Sequence, residues 1–243
     1  MRFKYVAAAA VSVAVLSGCS ATTGGSPQPG RVDTSSTATR SETTTTTAEA
    51  ARTPVTIEGD TGDSLDQLAQ TTLDSLVTFW DGQGKVTEPL TYRYWESGKG
   101  ETSPVCAKHT HRGGMFCNRK SGAKKDDELD WDKTYLGTVV DDPKVGAKAA
   151  PVLILAHEYG HAVQAATGHY KDNPNRELQA DCLAGVFGKN TVPEVTDSEW
   201  AAATFVVYRA MSDGLDMDKI TDRTKAFTTG RYGSFDTCMR YTG

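Results

Sequence analysis

The sequence predicts a mostly helical α+β domain with a small β-sheet. Apolar residues recur at helical spacing through much of the chain, capping signals precede several of these runs, and β-prone segments are short. With 38% hydrophobic and 23% charged residues in 243, the composition suits one globular core. The net charge of −5 lacks the basic excess that phosphate binding needs, so we expect no nucleic-acid partner.

The first elements follow from capping and hydrophobic spacing. Residues 64–67 (SLDQ) have the capping-box pattern, and a helical run of apolar residues continues to Gly82. Residues 91–95 and 115–118 are short, β-prone and bounded by turn formers, which predicts two strands. The polar, acidic stretch 119–132 lacks the ligand spacing of a calcium loop, so we interpret it as a solvated loop.

The second half of the chain predicts five helices. Residues 147–167 are Ala-rich and apolar, which indicates a buried helix, and a capping box opens another at Thr196. The five predicted helices cover residues 147–167, a segment that begins near residues 173–175 and continues to about 187, and residues 196–211, 222–229 and 234–241.

The N-terminus predicts export. An apolar stretch at residues 5–16 follows two basic residues and is too short to cross a bilayer, which is typical of a signal peptide. It ends in Leu16-Ser17-Gly18-Cys19, which resembles the lipobox of bacterial lipoproteins. We therefore expect a signal peptide at residues 1–18, a lipid on Cys19 and anchoring at the extracytoplasmic face of the cell membrane. An ordinary cleaved signal is the alternative.

A stalk separates this anchor from the folded domain. Residues 20–54 contain no aromatic residue and are dominated by Thr, Ser, Pro and Gly, so they cannot offset the entropy of ordering. We assign residues 19–54 to the lipidated cysteine and a disordered stalk, and residues 55–243 to the domain.

Four further cysteines remain in a compartment that favours oxidation. They are Cys106, Cys117, Cys182 and Cys238, and three pairings are possible. We favour Cys106–Cys117, which flank one loop, and Cys182–Cys238, which lie in helical sequence.

The chemistry centres on His157-Glu158-Tyr159-Gly160-His161 within the predicted buried helix. Residues four apart share a helical face, so His157 and His161 can bind one metal ion while Glu158 projects beside it. Zinc is the expected cofactor, because imidazole nitrogen atoms are among its preferred ligands.

A catalytic zinc needs a third protein ligand. Glu177 can supply it, and Asp181, four residues later, can accept a hydrogen bond from a liganding histidine. This resembles the gluzincin arrangement. The metzincin alternative requires a histidine where Thr167 stands, and His169 lies at the wrong offset.

A longer resemblance surrounds these residues. Residues 177–187 (ELQADCLAGVF) are similar to a block of the bacterial neutral zinc metallopeptidase family, and the similarity extends over about residues 104–241. Its other matching positions are Cys106, Phe116, Cys117, Ala226, Phe227, Gly230 and Cys238. The resemblance implies a zincin-like fold with His157, His161 and Glu177 as zinc ligands and Glu158 as catalytic base.

We therefore expect a lipid-anchored zinc metallopeptidase that hydrolyses peptide bonds with a zinc-activated water molecule and Glu158 as general base. Its partner would be a peptide or protein substrate in the cell envelope. The alternative is a non-catalytic, zinc-stabilised scaffold or regulator.

Two features of the cleft stay open at this point. An extended substrate could add to an edge strand at residues 92–95 or 115–118. The group that stabilises the oxyanion could be any of His169, Tyr170, Tyr208 or Arg231.

Overall fold

A computed structural model of the chain describes residues 53–85, 90–102, 113–118, 127–211 and 216–243. These residues belong to one compact unit, Ala51–Gly243. The predicted signal peptide, Cys19, nearly all of the predicted stalk and Cys106 lie outside the described residues. No helix within the described ranges is long and apolar enough to cross a membrane.

The unit is an α+β fold, as predicted. In chain order its strands are β1 (Ile57–Glu58), β2 (Leu90–Trp95), β3 (Gly114–Cys117) and β4 (Asp127–Asp132). Its α-helices are α1 (Ser64–Asp81), α2 (Lys133–Val140), α3 (Gly146–Pro151), α4 (His157–Ala166), α5 (Arg176–Thr191), α6 (Asp197–Met211), α7 (Met217–Arg231) and α8 (Phe235–Met239). A 3₁₀ turn covers Ser97–Lys99, and a π-helix joins α3 to α4 at Val152–Ala156.

The sheet has the order β1-β2-β4-β3. β2 pairs in parallel with β1 and β4, whereas β3 is antiparallel to β4 and lies at the edge. Of the two strands proposed for substrate addition, β2, which contains residues 92–95, is therefore an interior strand: β4 pairs along all of it, and β1 pairs with residues 92 and 93. β3 keeps the edge position.

The interpretation of residues 119–132 as a solvated loop is wrong for residues 127–132, and residues 119–126 lie outside the described part. β4 is buried at all six positions. Its alternation explains this: Leu129 and Trp131 enter the core, while Glu128 and Asp130 turn to the other face and meet Arg93 of β2, at 3.2 and 3.9 Å. Charge pairing across the sheet allows an acidic sequence to form an interior strand.

Capping residues set the helix starts. The predicted box at α1 is shifted by one residue, since Asp63 is the N-cap and accepts hydrogen bonds from the amides of Leu65 and Asp66. At α6 the predicted box is present: Thr196 Oγ1 accepts from the Glu199 amide, and Glu199 Oε2 accepts from the Thr196 amide.

The predicted buried helix 147–167 is three successive helical segments. Pro151 ends α3, and because proline has no amide hydrogen it removes one helical hydrogen bond just before the π-helix. Residues 157–164 of α4 are all buried. The π-helix directly precedes His157, so it determines which side of the α4 axis the His157 side chain lies on.

The helices α5 and α7 cross with their backbones in contact. A Cβ at Gly185 would collide with the carbonyl oxygen of Phe227, and one at Gly230 with that of Cys182. The predicted disulfide Cys182–Cys238 is present and ties α8 to α5. α7 is longer than the predicted residues 222–229, because Asp216 caps its N-terminus.

Candidate metal site

α4 contributes three buried polar side chains to one place. His157 and His161 lie on one face of the helix, 2% and 5% exposed, and their ring centroids are 4.9 Å apart. Glu158 lies beside them and is 4% exposed. Ligand atoms of all three residues lie within 4.8 Å of one another. Burying three such groups is costly unless each meets a partner of opposite charge or a cation.

Glu177, in the first turn of α5, faces both imidazoles. Its Oε2 lies 3.4 Å from Nε2 of His157 and 3.3 Å from Nε2 of His161. Its other oxygen, Oε1, accepts a hydrogen bond from Nε of Arg176 at 3.2 Å. The Glu177 side chain is 53% exposed, so this side of the cluster is open to solvent.

Hydrogen bonds hold the Nδ1 atoms of His157 and His161, on the side of each ring away from Glu177. Nδ1 of His157 lies 2.8 Å from Oδ1 of Asp181, which is fully buried. Nδ1 of His161 lies 2.8 Å from Oε1 of Gln164, whose Nε2 donates to the carbonyl oxygen of Arg176. Because Asp181 and that Gln164 oxygen can only accept, both Nδ1 atoms are donors. In both rings Nε2 then faces Oε2 of Glu177: it carries the lone pair when the ring is neutral, and it donates a hydrogen bond to that oxygen when the ring is protonated.

Glycine residues give this cluster its space. A Cβ at Gly114 of β3 would lie 2.5 Å from Cγ of Glu158, so only glycine leaves room for this side chain. A Cβ at Gly160 would approach the backbone of Ala180 to 3.1 Å, which explains how closely α4 and α5 pack. Strand β3 and helix α5 thus enclose the histidine pair from two sides.

The charges of the cluster shift its pKa values in a consistent pattern. Burial raises the pKa of Glu158, although the two histidines act in the opposite direction. Partial burial of Glu177 and full burial of Asp181 tend to raise their pKa values. Hydrogen bonds from the protonated histidines to Glu177, and the charge of Arg223 beside Asp181, nevertheless hold both pKa values below the ordinary ones. Burial opposes a charge on His157, yet Asp181 and Glu177 raise its pKa.

We define the metal-site cluster as His157, Glu158, His161, Glu177 and Asp181, and the structure brings together all five of these sequence-predicted residues. Two neighbours were missed by sequence reasoning: Gln164 and Arg223. Gln164 lies three residues after His161 on the buried face of α4, and Arg223 falls on the apolar stripe of α7 that includes Ile220, Phe227 and Gly230. A charged or amide residue at a position that the helical period buries is the signal that could have identified both.

The four residues that could stabilise the oxyanion lie in different surroundings. Tyr170 borders the cluster, with its ring 5.7 Å from that of His161 and 5.4 Å from that of Phe116 on β3. Tyr208 is fully buried beneath the guanidinium of Arg223. The other two face elsewhere: the His169 ring contacts Phe235, and Arg231 pairs with Asp197.

Of the two predicted disulfides, the structure contains Cys182–Cys238. The pairing Cys106–Cys117 involves Cys106, which is outside the described residues. No protein-family model matches this chain, and no match was found among curated proteins or among solved structures.

Proposed function

We propose that this protein is a zinc-dependent peptidase, with His157, His161 and Glu177 holding the metal and Glu158 acting as general base. The observation that carries the proposal is that Nε2 of both histidines faces the same oxygen, Oε2 of Glu177, at 3.4 and 3.3 Å, so that with neutral rings three acceptor atoms face one another. Two imidazole nitrogens and one carboxylate oxygen match the donor set of catalytic zinc. Two lone pairs and a carboxylate facing one another are stabilised when a cation lies between them.

Bound zinc would supply Lewis-acid chemistry, lowering the pKa of a water molecule and polarising a peptide carbonyl. Glu158 is placed to take the proton of the attacking water and to return it to the leaving amine. Its burial raises its pKa, which makes this carboxylate a stronger base towards the proton of the water molecule. Asp181 and Gln164 orient the two rings by accepting from their Nδ1 atoms.

The same geometry suggests how an extended substrate is held. β3 is an edge strand, and its residue Gly114 packs against Glu158. A peptide that adds to β3 by main-chain hydrogen bonds would run past the metal-site cluster. Tyr170 lies between β3 and His161, so we place it at the wall of this cleft.

The location of the protein forms a second part of the proposal. The lipobox-like Leu16-Ser17-Gly18-Cys19 supports a lipid anchor, and the Cys182–Cys238 disulfide fits an oxidising compartment outside the cytoplasm. We therefore propose an extracytoplasmic peptidase of the type seen in the bacterial neutral zinc metallopeptidase family, which acts on peptides or proteins of the cell envelope.

Glu158→Gln tests the proposed reaction, since it keeps the volume and hydrogen bonding of the side chain but removes the base. Purified wild-type and variant proteins, at equal zinc content, would be incubated with a mixed peptide library and the products read by mass spectrometry. We expect turnover to fall at least about 10²-fold, with unchanged zinc content. Glu101→Gln, at an exposed glutamate outside the cluster, is the matched control and should cleave at the wild-type rate.

A zinc-stabilised scaffold predicts a different outcome. If the zinc-loaded wild type cut no library peptide, and Glu158→Gln restored every deletion phenotype while His157→Ala did not, the peptidase proposal would be abandoned. The metal would then serve stability alone.

A further inference from the structure

Arg223 reaches the metal-site cluster from α7, which contains none of the five residues of that cluster. Its Nε lies 2.7 Å from Oδ2 of Asp181 and its Nη2 lies 2.8 Å from Oδ1, which is a bidentate pair. The Asp181 side chain is fully buried and that of Arg223 is 15% exposed. The guanidinium therefore supplies the positive charge that a carboxylate in this position requires.

The same carboxylate oxygen serves the histidine. Oδ1 of Asp181 lies 2.8 Å from Nδ1 of His157 and 2.8 Å from Nη2 of Arg223, and the two nitrogen atoms are 3.3 Å apart. Rotating the carboxylate would lengthen the bonds to both nitrogen atoms at once. Arg223 thus fixes the angle at which Asp181 meets the imidazole, and with it the direction of the opposite nitrogen, Nε2.

The surroundings hold Arg223 in this place. Its guanidinium stacks over the buried ring of Tyr208, 4.3 Å from the ring centroid. Helix α7 itself cannot slide along α5, because Gly185 and Gly230 bring the two backbones into contact. An arginine held by a ring and a rigid helix crossing can orient its partner, since its own rotamers are restricted.

We infer that Arg223 is a positioning residue of the metal site: through Asp181 it orients His157 and so sets the affinity for the metal. This inference rests on the proposed zinc site. The residues of the metal-site cluster lie on α4 and α5, and Arg223 adds a residue of α7 to them. The close α5–α7 crossing would then help to hold Arg223 against Asp181.

The test measures the zinc dissociation constant of the full chain by competition with a chelator. Arg223→Met should weaken zinc binding by roughly 10- to 100-fold, the effect of losing an outer hydrogen-bond partner of a ligand. The zinc affinity of Arg223→Lys should lie between those of the wild type and Arg223→Met, because an ammonium group keeps the charge but cannot form the bidentate pair. Lys225→Met, at an exposed cation of the same helix, is the control and should bind like the wild type.

A double-mutant cycle tests whether Arg223 acts through Asp181. Asp181→Asn combined with Arg223→Met should bind zinc about as weakly as Asp181→Asn alone, so the two losses should not multiply. The visible spectrum of the cobalt-substituted protein gives a second readout, because a reoriented His157 changes the ligand field. A merely structural arginine would lower the thermal midpoint of the metal-free protein and leave both the zinc constant and the spectrum unchanged.

The outcomes separate this inference from the proposed function. Wild-type affinity and spectrum in folded Arg223→Met, or in Arg223→Lys if the first variant does not fold, would overturn it. The inference would also be overturned if the losses of zinc affinity in Asp181→Asn and Arg223→Met multiplied in the double variant. A wild-type chain that binds no zinc would overturn the proposed function and this inference together, whereas tight zinc binding by every variant would overturn the inference alone.

Discussion

The metal-site cluster and a second cluster at the start of α1, in which Asp66 and Lys133 are buried, both hold carboxylates, and they differ in what faces these carboxylates. In the second, which we name the lysine cluster, Nζ of Lys133 lies 2.6 Å from a carboxylate oxygen of Asp63 and 2.6 Å from one of Asp66. Thr61 donates two more hydrogen bonds to Asp66, from its amide and its hydroxyl. In the lysine cluster the carboxylates of Asp63 and Asp66 are therefore paired with donors of the protein itself.

With both rings neutral, the metal-site cluster has matched donors and acceptors only on the side away from Glu177. Asp181 meets Arg223 and His157, and Gln164 meets His161, but on the inner side two imidazole nitrogens face the carboxylate of Glu177. Acceptors that converge need a proton or a metal cation between them. The lysine cluster therefore pairs its charges within the protein, whereas the metal-site cluster has facing acceptors that a bound cation would pair.

The largest effect that separates the two clusters is expected from Lys133→Met. Removing the lysine leaves Asp66, whose side chain is 1% exposed, without its cation, which should lower the free energy of unfolding by about 3 kcal/mol. Zinc content should stay at the wild-type level, because this cluster shares no residue with the metal site. Chemical denaturation and metal analysis of the same preparation check both statements.

Lys148→Met is the matched control for that experiment. Lys148 pairs with Glu194 at 2.8 Å, but both side chains are at least half exposed, so the loss should stay below about 1 kcal/mol. Equal losses in the two lysine variants would contradict the view that burial makes the lysine cluster structural. A loss of zinc in Lys133→Met would contradict the separation of the clusters.

A smaller effect, confined to the metal-site cluster, is expected from Gly114→Ala. The added methyl group would displace Glu158 without touching a proposed ligand, so turnover should fall roughly 10-fold or more while zinc content is unchanged. Gly137→Ala is the control, since its Cβ would also meet a side chain, Leu65, at 3.0 Å, but outside the cluster. Wild-type turnover in Gly114→Ala would show that the position of Glu158 does not limit the reaction.

Local patterns in the sequence predicted most of the helices and the members of the metal-site cluster. A spacing of four residues places His157 and His161 on one face whatever the fold, and Glu177 and Asp181 share a face for the same reason. The α+β class was confirmed, since short β-prone segments and long helical runs leave few alternatives.

Features that depend on contacts between distant segments were not predicted. Residues 127–132 have the composition of a loop, and only pairing with β2 and the charge of Arg93 make them an interior strand. Arg223 lies 42 residues from Asp181, so no local spacing links the two. The sequence alone also could not place residues 92–95 inside the sheet, because strand order is a tertiary property.

The zinc content of the purified protein tests the central claim most directly. Metal analysis after gel filtration should find about one zinc per wild-type chain, a loss of most of it in Glu177→Ala and full retention in His169→Ala. His169 is the control because its ring packs on Phe235, away from the converging acceptors. A wild type without zinc, or a zinc loss in His169→Ala with retention in Glu177→Ala, would contradict the account.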